Sequence, residues 1–397
     1  MGPGNCNGRA ARPVGWRSAW IVPRAPVAAK PPAAVLQTLG RQTLGRVTAY
    51  GGRSPPAAIL PLHGSAGVVS WASVKPRVLV TRRVYPAALA ILQEDCVVDY
   101  RDTLDVMDEA LLARRLQHCD GVVCQLTDPM TAGVFAAAPK LRVAAQIAVG
   151  HDNVDVAAAT ARGIVVTNTP GVLTESTADL AFALLLATAR RLPAAERFLR
   201  DGNWRRWDID LLAGTDVHGR TLGIVGFGRI GQAVARRARG FGMRVLCSTR
   251  TPPLPALLQE LAAQHVPLDF LLAHSDFVSL HAPLGPDTHH LIGVEQLARM
   301  RRGAILVNTA RGPLVDERAL AAALAEGLLG GAGLDVFEDE PRVHAELLRL
   351  PNVVLLPHVG SATVATRTRM CTLAAENCTA VLRGQRPPNA VNPEALQ

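Results

Sequence analysis

The sequence has little cysteine and lysine, and no acidic residue in its first 74 positions. Its seven cysteines stand at 6, 96, 119, 124, 247, 371 and 378, an odd number with no CxxC pair. That pattern excludes a disulfide framework and a cysteine-built zinc site, and points to free thiols in a reducing compartment. No metal is expected. Lysine occurs only at Lys30, Lys75 and Lys140, the other basic residues being arginine. This bias reflects GC-rich coding composition rather than binding chemistry. No apolar run reaches the roughly 18 residues of a membrane helix. The longest, Leu180–Ala189, stops at Arg190-Arg191, so no membrane partner is expected. Hydrophobic residues make up 49 % of 397, which excludes global disorder.

Residues 1–74 hold 8 of the 42 Lys and Arg and none of the 33 Asp and Glu, leaving 34 basic against 33 acidic residues in the remainder. The net charge of +9 therefore belongs almost wholly to this stretch, and no nucleic-acid surface is expected on the folded part. The same 74 residues contain 9 Pro and 10 Gly with no sustained period, so a disordered N-terminal extension is expected. Its acid-free, arginine-bearing character fits an organellar transit peptide. The preferred reading is a start site placed too far upstream in a bacterial protein, the true one lying near Val74. A cytoplasmic location goes with the second reading and an organellar one with the first.

From Val78 short β-branched runs alternate with helical stretches, the signature of parallel sheets covered on both faces. Strands are expected at Val78–Thr81, Gly121–Cys124, Leu141–Ala144 and Ile164–Val166. A second series is expected at Thr221–Val225, Arg244–Cys247, Phe277–Leu280, Ala304–Val307, Gly333–Val336 and Val353–Leu356. The fold class is therefore α/β, with two Rossmann-like, doubly wound parallel-sheet domains. Residues 75–173 with 361–397 form the expected substrate domain, and 174–360 the nucleotide domain. Between the series, Thr174–Arg191 reads as a helix with Thr174 as N-cap, acids near its start and arginines at its end. It is apolar nearly all round and needs burial on more than one side, which a subunit interface could supply.

Gly226-Phe227-Gly228-Arg229-Ile230-Gly231 is a GxGxxG turn that follows a strand and opens a helix. In that context Gly226 permits the turn, Gly228 lets the backbone approach a pyrophosphate, and Gly231 allows close helix–strand packing. The helix N-terminus offers free N–H groups to the anion. An NAD-selective site would place an acid after the second strand, but none occurs between Gly231 and Gln259. Ser248, Thr249 and Arg250 stand there instead, and arginine can meet a 2′-phosphate with a charge-assisted pair. NADP(H) is thus the expected cofactor, with NAD(H) possible.

Arg311, Glu340 and His358 follow strands of the second series. Ligands of open α/β sheets bind outside the carboxyl ends of the strands, so the three could converge beside a nicotinamide. Around them, the stretches Ala148–Asp155, Asn168–Thr174, His281–Leu284, Asn308–Asp316, Leu334–Pro341 and Leu356–Thr363 complete a pattern spread over most of the chain. From about Lys75 to Pro388 the sequence resembles the D-isomer-specific 2-hydroxyacid dehydrogenases, most of all the glyoxylate/hydroxypyruvate reductase branch.

The resemblance implies roles for particular residues. His358 matches the general acid/base, and imidazole suits that task near neutral pH. Glu340 matches its carboxylate partner, which favours the imidazolium form. Arg311 matches the group that holds the substrate carboxylate and carbonyl oxygen. Val149 and Gly150 match a loop whose N–H groups receive that carboxylate. Asp335 matches the position facing the nicotinamide carboxamide, and Pro283 and Thr309 lie in the cofactor-lining stretches. Trp207 matches an aromatic that reaches a neighbouring subunit, so a homodimer is implied. His151 departs from the tyrosine common at its position. The implied reaction is reduction of glyoxylate or hydroxypyruvate with NADPH. Alternatives are phosphoglycerate, D-lactate or phosphite oxidation on the same scaffold, or a cofactor-sensing corepressor that retains the three residues.

Overall fold

A computed structural model describes residues 75–396. The expectations for residues 1–74 lie outside the described residues. Five parallel strands form the first sheet: β1 (Arg77–Val80), β2 (Val97–Tyr100), β3 (Gly121–Cys124), β4 (Val143–Gln146) and β5 (Val165–Thr167), in the order β2-β1-β3-β4-β5. Seven parallel strands form the second: β6 (Thr221–Val225), β7 (Arg244–Ser248), β8 (Ala263–His265), β9 (Phe277–Leu280), β10 (Ile305–Asn308), β11 (Gly331–Leu334) and β12 (Val353–Leu355), in the order β12-β11-β10-β9-β6-β7-β8.

Each sheet is apolar on both faces because helices cover both sides, as parallel pairing requires. Val78, Leu79 and Val80 of β1 are completely buried, and their side chains divide between two hydrophobic clusters. The second sheet likewise separates two larger clusters. Strand order reverses between β1 and β3, and again between β6 and β9. A crevice opens at such a switch point because successive crossovers leave in opposite directions.

Three local expectations are corrected. Thr174 does not cap its helix: Leu173 is the N-cap, without a side-chain hydrogen bond, and Thr174 is the first helical residue. The apolar faces of this helix, Thr174–Ala189, are covered by the chain itself. It packs on β10, β11, β12 and the helix Arg229–Gly240, burying Phe182, Leu184 and Leu185. Its all-round apolarity therefore needs no second subunit. Finally, β4 and β11 each lie two residues from the expected span, and the half-exposed β2 and the short edge strand β8 were not anticipated.

The C-terminal helix, Val364–Leu382, returns to the first sheet and packs on β3, β4 and the helix Pro86–Asp95. Asn392 then fastens the tail to β5, accepting the Val166 N–H at 2.7 Å and donating to Ile164 O at 2.9 Å.

Candidate active site

The glycine turn links β6 to the helix Arg229–Gly240. Gly226 has φ +90°, and a Cβ there would lie 2.6 Å from the main chain of His281 and Ala282, so only glycine fits. A Cβ on Gly231 would lie 2.3 Å from the Gly226 carbonyl, which shows how closely helix and strand pack. Among the described residues, nothing stands within 4 Å of where a Cβ on Gly228 would be, and no side chain caps the helix there. The first N–H groups of the helix thus remain available to an anion. At the wall beyond, the buried Thr309 hydroxyl has no partner among the described residues. The open cradle and the unpaired hydroxyl together fit a dinucleotide.

At the far end of β7, Ser248 accepts the Gly226 N–H at 2.8 Å through its carbonyl, which ties the turn to the strand. Arg250 extends into solvent, with Asp287 3.7 Å away. That acid arrives from the segment after β9, so reading along β7 alone could not find it. Arg229 is exposed and Ile230 half-buried at the turn.

The carboxyl ends of both sheets face one cleft of about 1760 Å³. This exceeds the roughly 300–1,000 Å³ of a site for a single small molecule. From the first sheet come Val149, Gly150, His151 and Asp152, on the loop after β4. From the second come Ile230, His281, Pro283, Thr309, Arg311, Asp335, Glu340 and His358. The cleft therefore gathers the substrate-side and nicotinamide-side residues expected from sequence, whereas Ser248, Thr249 and Arg250 sit outside its lining, at the end of β7.

Arg311 leaves the end of β10 on a backbone held by the Asn308 amide, which donates to the Arg311 carbonyl at 2.8 Å. Gly312 follows because a Cβ there would overlap the Phe337 carbonyl carbon at 1.8 Å. The guanidinium donates through Nε to Asp152 at 2.7 Å and through Nη1 to the Ala310 carbonyl at 2.7 Å. Among the described residues, the N–H groups of Val149 and Gly150 donate to no main-chain carbonyl outside the strands.

His358 Nδ1 pairs with Glu340 Oε2 at 2.8 Å, and the other Glu340 oxygen accepts the Phe337 N–H at 3.1 Å. Burial opposes ionisation of Glu340. The hydrogen bond and charge of His358, the Phe337 N–H and the Arg311 charge outweigh it, and the carboxyl is held below its ordinary range. His358 itself sits at φ +53°, a left-handed conformation that costs an ordinary residue about 1–2 kcal/mol. Asp335 holds it there. Its carbonyl accepts the His358 N–H at 2.8 Å, and its carboxylate accepts the N–H groups of Val359 at 2.7 Å and Gly360 at 2.8 Å. Asp335 is 1 % exposed, and burial pushes its carboxyl up despite these bonds.

Two cleft residues were not singled out from sequence. His281, at the end of β9, is half-buried, pairs through Nε2 with the Ser279 hydroxyl at 2.8 Å, and is pushed down to about 4 by desolvation. Its position in a histidine–alanine–proline–leucine stretch was the available signal. Asp152 lies in the stretch Ala148–Asp155, but its partner could not be read from there, because Arg311 lies 159 residues away. Trp207, by contrast, stands 73 % exposed on the segment after the helix Leu192–Arg200, outside the cleft lining of its own chain.

Residues 182–360 match the family model for the NAD-binding domain of D-isomer specific 2-hydroxyacid dehydrogenases. The chain is 54 % identical over 328 residues to a glyoxylate reductase of Korarchaeum cryptofilum, covering 82 % of this chain and 98 % of that protein. Among solved structures it resembles the TT0316 protein of Thermus thermophilus, with a TM-score of 0.75 and 50 % identity over 79 % of this chain and 99 % of that one. It also resembles the NADPH-dependent glyoxylate/hydroxypyruvate reductase of Sinorhizobium meliloti in complex with NADP and malonate. There the TM-score is 0.73 and the identity 39 %, over 81 % and 98 % of the two chains.

Proposed function

Since the chain belongs to the D-isomer-specific 2-hydroxyacid dehydrogenase family and is an NAD(P)-dependent oxidoreductase, we propose that it reduces glyoxylate and hydroxypyruvate with NADPH, giving glycolate and D-glycerate. One observation carries this reading: Arg311, Glu340 and His358 line the same cleft beyond the glycine turn.

The substrate carboxylate binds to Arg311 and to the N–H groups of Val149 and Gly150, and the guanidinium also meets the carbonyl oxygen. A planar, permanently charged fork suits a 2-oxo acid. As negative charge grows on that oxygen, Arg311 stabilises it. His358 gives the proton. Its Nδ1 is committed to Glu340, so Nε2 is the atom left for the substrate. The ionised Glu340 favours the imidazolium, the form that donates. A nicotinamide held in this cleft would supply the hydride. Gly226, Gly228, Arg229, Ile230 and Gly231 would hold its pyrophosphate, Pro283, Thr309 and Asp335 would line the ring end, and Ser248, Thr249 and Arg250 would meet the adenosine ribose.

Preference for NADPH rests on Arg250, opposed by the neighbouring Asp287. We also assign the homodimer to the segment Leu192–Ile209, where Leu199, Trp204, Trp207 and Ile209 are 57–84 % exposed. Such a patch on a soluble chain marks an interface. Residues 75–173 with 361–397 serve as the substrate domain and 174–360 as the nucleotide domain.

The test is a panel of glyoxylate, hydroxypyruvate, pyruvate and 3-phosphohydroxypyruvate, each with NADPH and NADH. Highest kcat/KM is expected for the first two with NADPH. Equal or better rates with NADH overturn the cofactor assignment, and no turnover with any oxo acid points to a cofactor-binding regulator.

A further inference from the structure

We propose that Asp152 is a positioning residue for catalysis, holding the Arg311 guanidinium across the cleft in the orientation that receives the substrate carboxylate. This rests on the role assigned to Arg311 above. Asp152 stands on the loop after β4 of the first sheet, and Arg311 on the loop after β10 of the second. Their bond, Nε to Oδ2 at 2.7 Å, therefore joins the two walls of the site.

An arginine side chain has many rotamers, and one anchor would not fix the plane of its fork. Arg311 has two. Asp152 takes Nε, and the carbonyl of Ala310 takes Nη1 at 2.7 Å. The third nitrogen, Nη2, lies where a Cβ on Gly150 would be, 1.4 Å from that ideal position. With Nε and Nη1 held, Nη2 rests against the loop whose N–H groups of Val149 and Gly150 are offered to the same carboxylate. A carboxylate is the right partner for Nε because its charge makes the bond strong. The Asp152 side chain is 41 % exposed and that of Arg311 25 %, so the pair adds little as a mere strut between lobes. Its value lies in pre-organising the fork.

The test compares Asp152→Ala, Asp152→Asn and the unchanged enzyme in three measurements: steady-state kinetics with glyoxylate, titration of the enzyme–NADPH complex with oxamate, and direct NADPH binding. Asp152→Ala is expected to raise the KM for glyoxylate and the Kd for oxamate roughly 10- to 100-fold, the range for loss of a charged hydrogen bond. NADPH affinity should stay within about twofold. Asp152→Asn keeps an acceptor for Nε and should recover most of the loss. Unchanged oxamate affinity in Asp152→Ala overturns the proposal, and so does a loss shared equally by NADPH binding and melting temperature, which is what a purely structural strut would give. If Asp152→Ala fails to fold, the Asn variant and an Asp152→Ser variant decide by the same oxamate titration. An unchanged enzyme that binds oxamate but reduces no oxo acid would refute the proposed function while leaving the Asp152 comparison readable.

Discussion

Replacing Gly150 by alanine tests the placement of Arg311 most directly. A Cβ there would stand 1.4 Å from Arg311 Nη2 and 2.7 Å from its Cζ, against about 3.4 Å for ordinary contact. The fork must then retreat by about 2 Å. No strain from a left-handed backbone is expected, since Gly150 is not among the positive-φ glycines. The displaced atoms are the tip of a flexible side chain, so the fold should survive, with stability changed by less than about 1 kcal/mol, as for surface substitutions. The catalytic cost is larger. Misplacement by 1 Å can cost about 100-fold, and a shift of twice that distance should lower kcat/KM for glyoxylate at least that far, about 2.7 kcal/mol at 1.36 kcal/mol per decade. The assay is NADPH oxidation under steady state, with melting temperature and NADPH affinity as controls. A variant that keeps wild-type kcat/KM would show that Arg311 does not work from this position. A variant that loses NADPH binding in parallel would place the damage elsewhere.

Two further predictions concern protons. His358→Gln should lower kcat for glyoxylate by roughly 10²–10⁴, the usual contribution of a positioned general acid, with NADPH affinity unchanged; a loss under tenfold in a pre-steady-state measurement would refute that role. The second concerns His281, whose imidazole is pushed from its ordinary 6.5 down to about 4 by burial. Between those values the unfolded chain binds more protons than the folded one, so stability is fully present above about 6.5 and falls as pH drops toward 4. The difference amounts to about 3 kcal/mol at 1.36 kcal/mol per pH unit. Urea unfolding across that window should show the slope, and His281→Asn should flatten it. An unchanged slope in the variant would assign the effect to other groups.

Much of this protein could be read from the order of its residues. Apolar β-branched runs such as Val78-Leu79-Val80 have no polar alternation, so they had to be buried on both faces, and alternation with helices made the sheets parallel. The three glycines of the turn were legible because each answers a backbone demand that no other residue meets, and φ +90° at Gly226 is one such demand. The loop residues Arg311, Glu340 and His358 could be found because strand ends define where ligands bind.

Strand ends within continuous apolar runs carry no mark, which is why β4 and β11 lie two residues from their expected spans. The half-exposed β2 lacks the buried pattern that betrays the central strands. Coverage of the helix Thr174–Ala189 was also hidden. A helix apolar all round states that it needs neighbours but not whose, and here β10, β11 and Arg229–Gly240 of the same chain supply them.

Local chemistry is written in local sequence: turns, strand burial and the identity of groups at strand ends follow from residues a few positions apart. Partnerships across the fold are not. Asp152 beside Arg311, Asp287 beside Arg250 and the Asp335 clasp on the His358 loop join residues that the chain separates by 23 to 159 positions. Their attraction acts only after the strands and loops that carry them have folded and brought them close, so tertiary structure alone decided them.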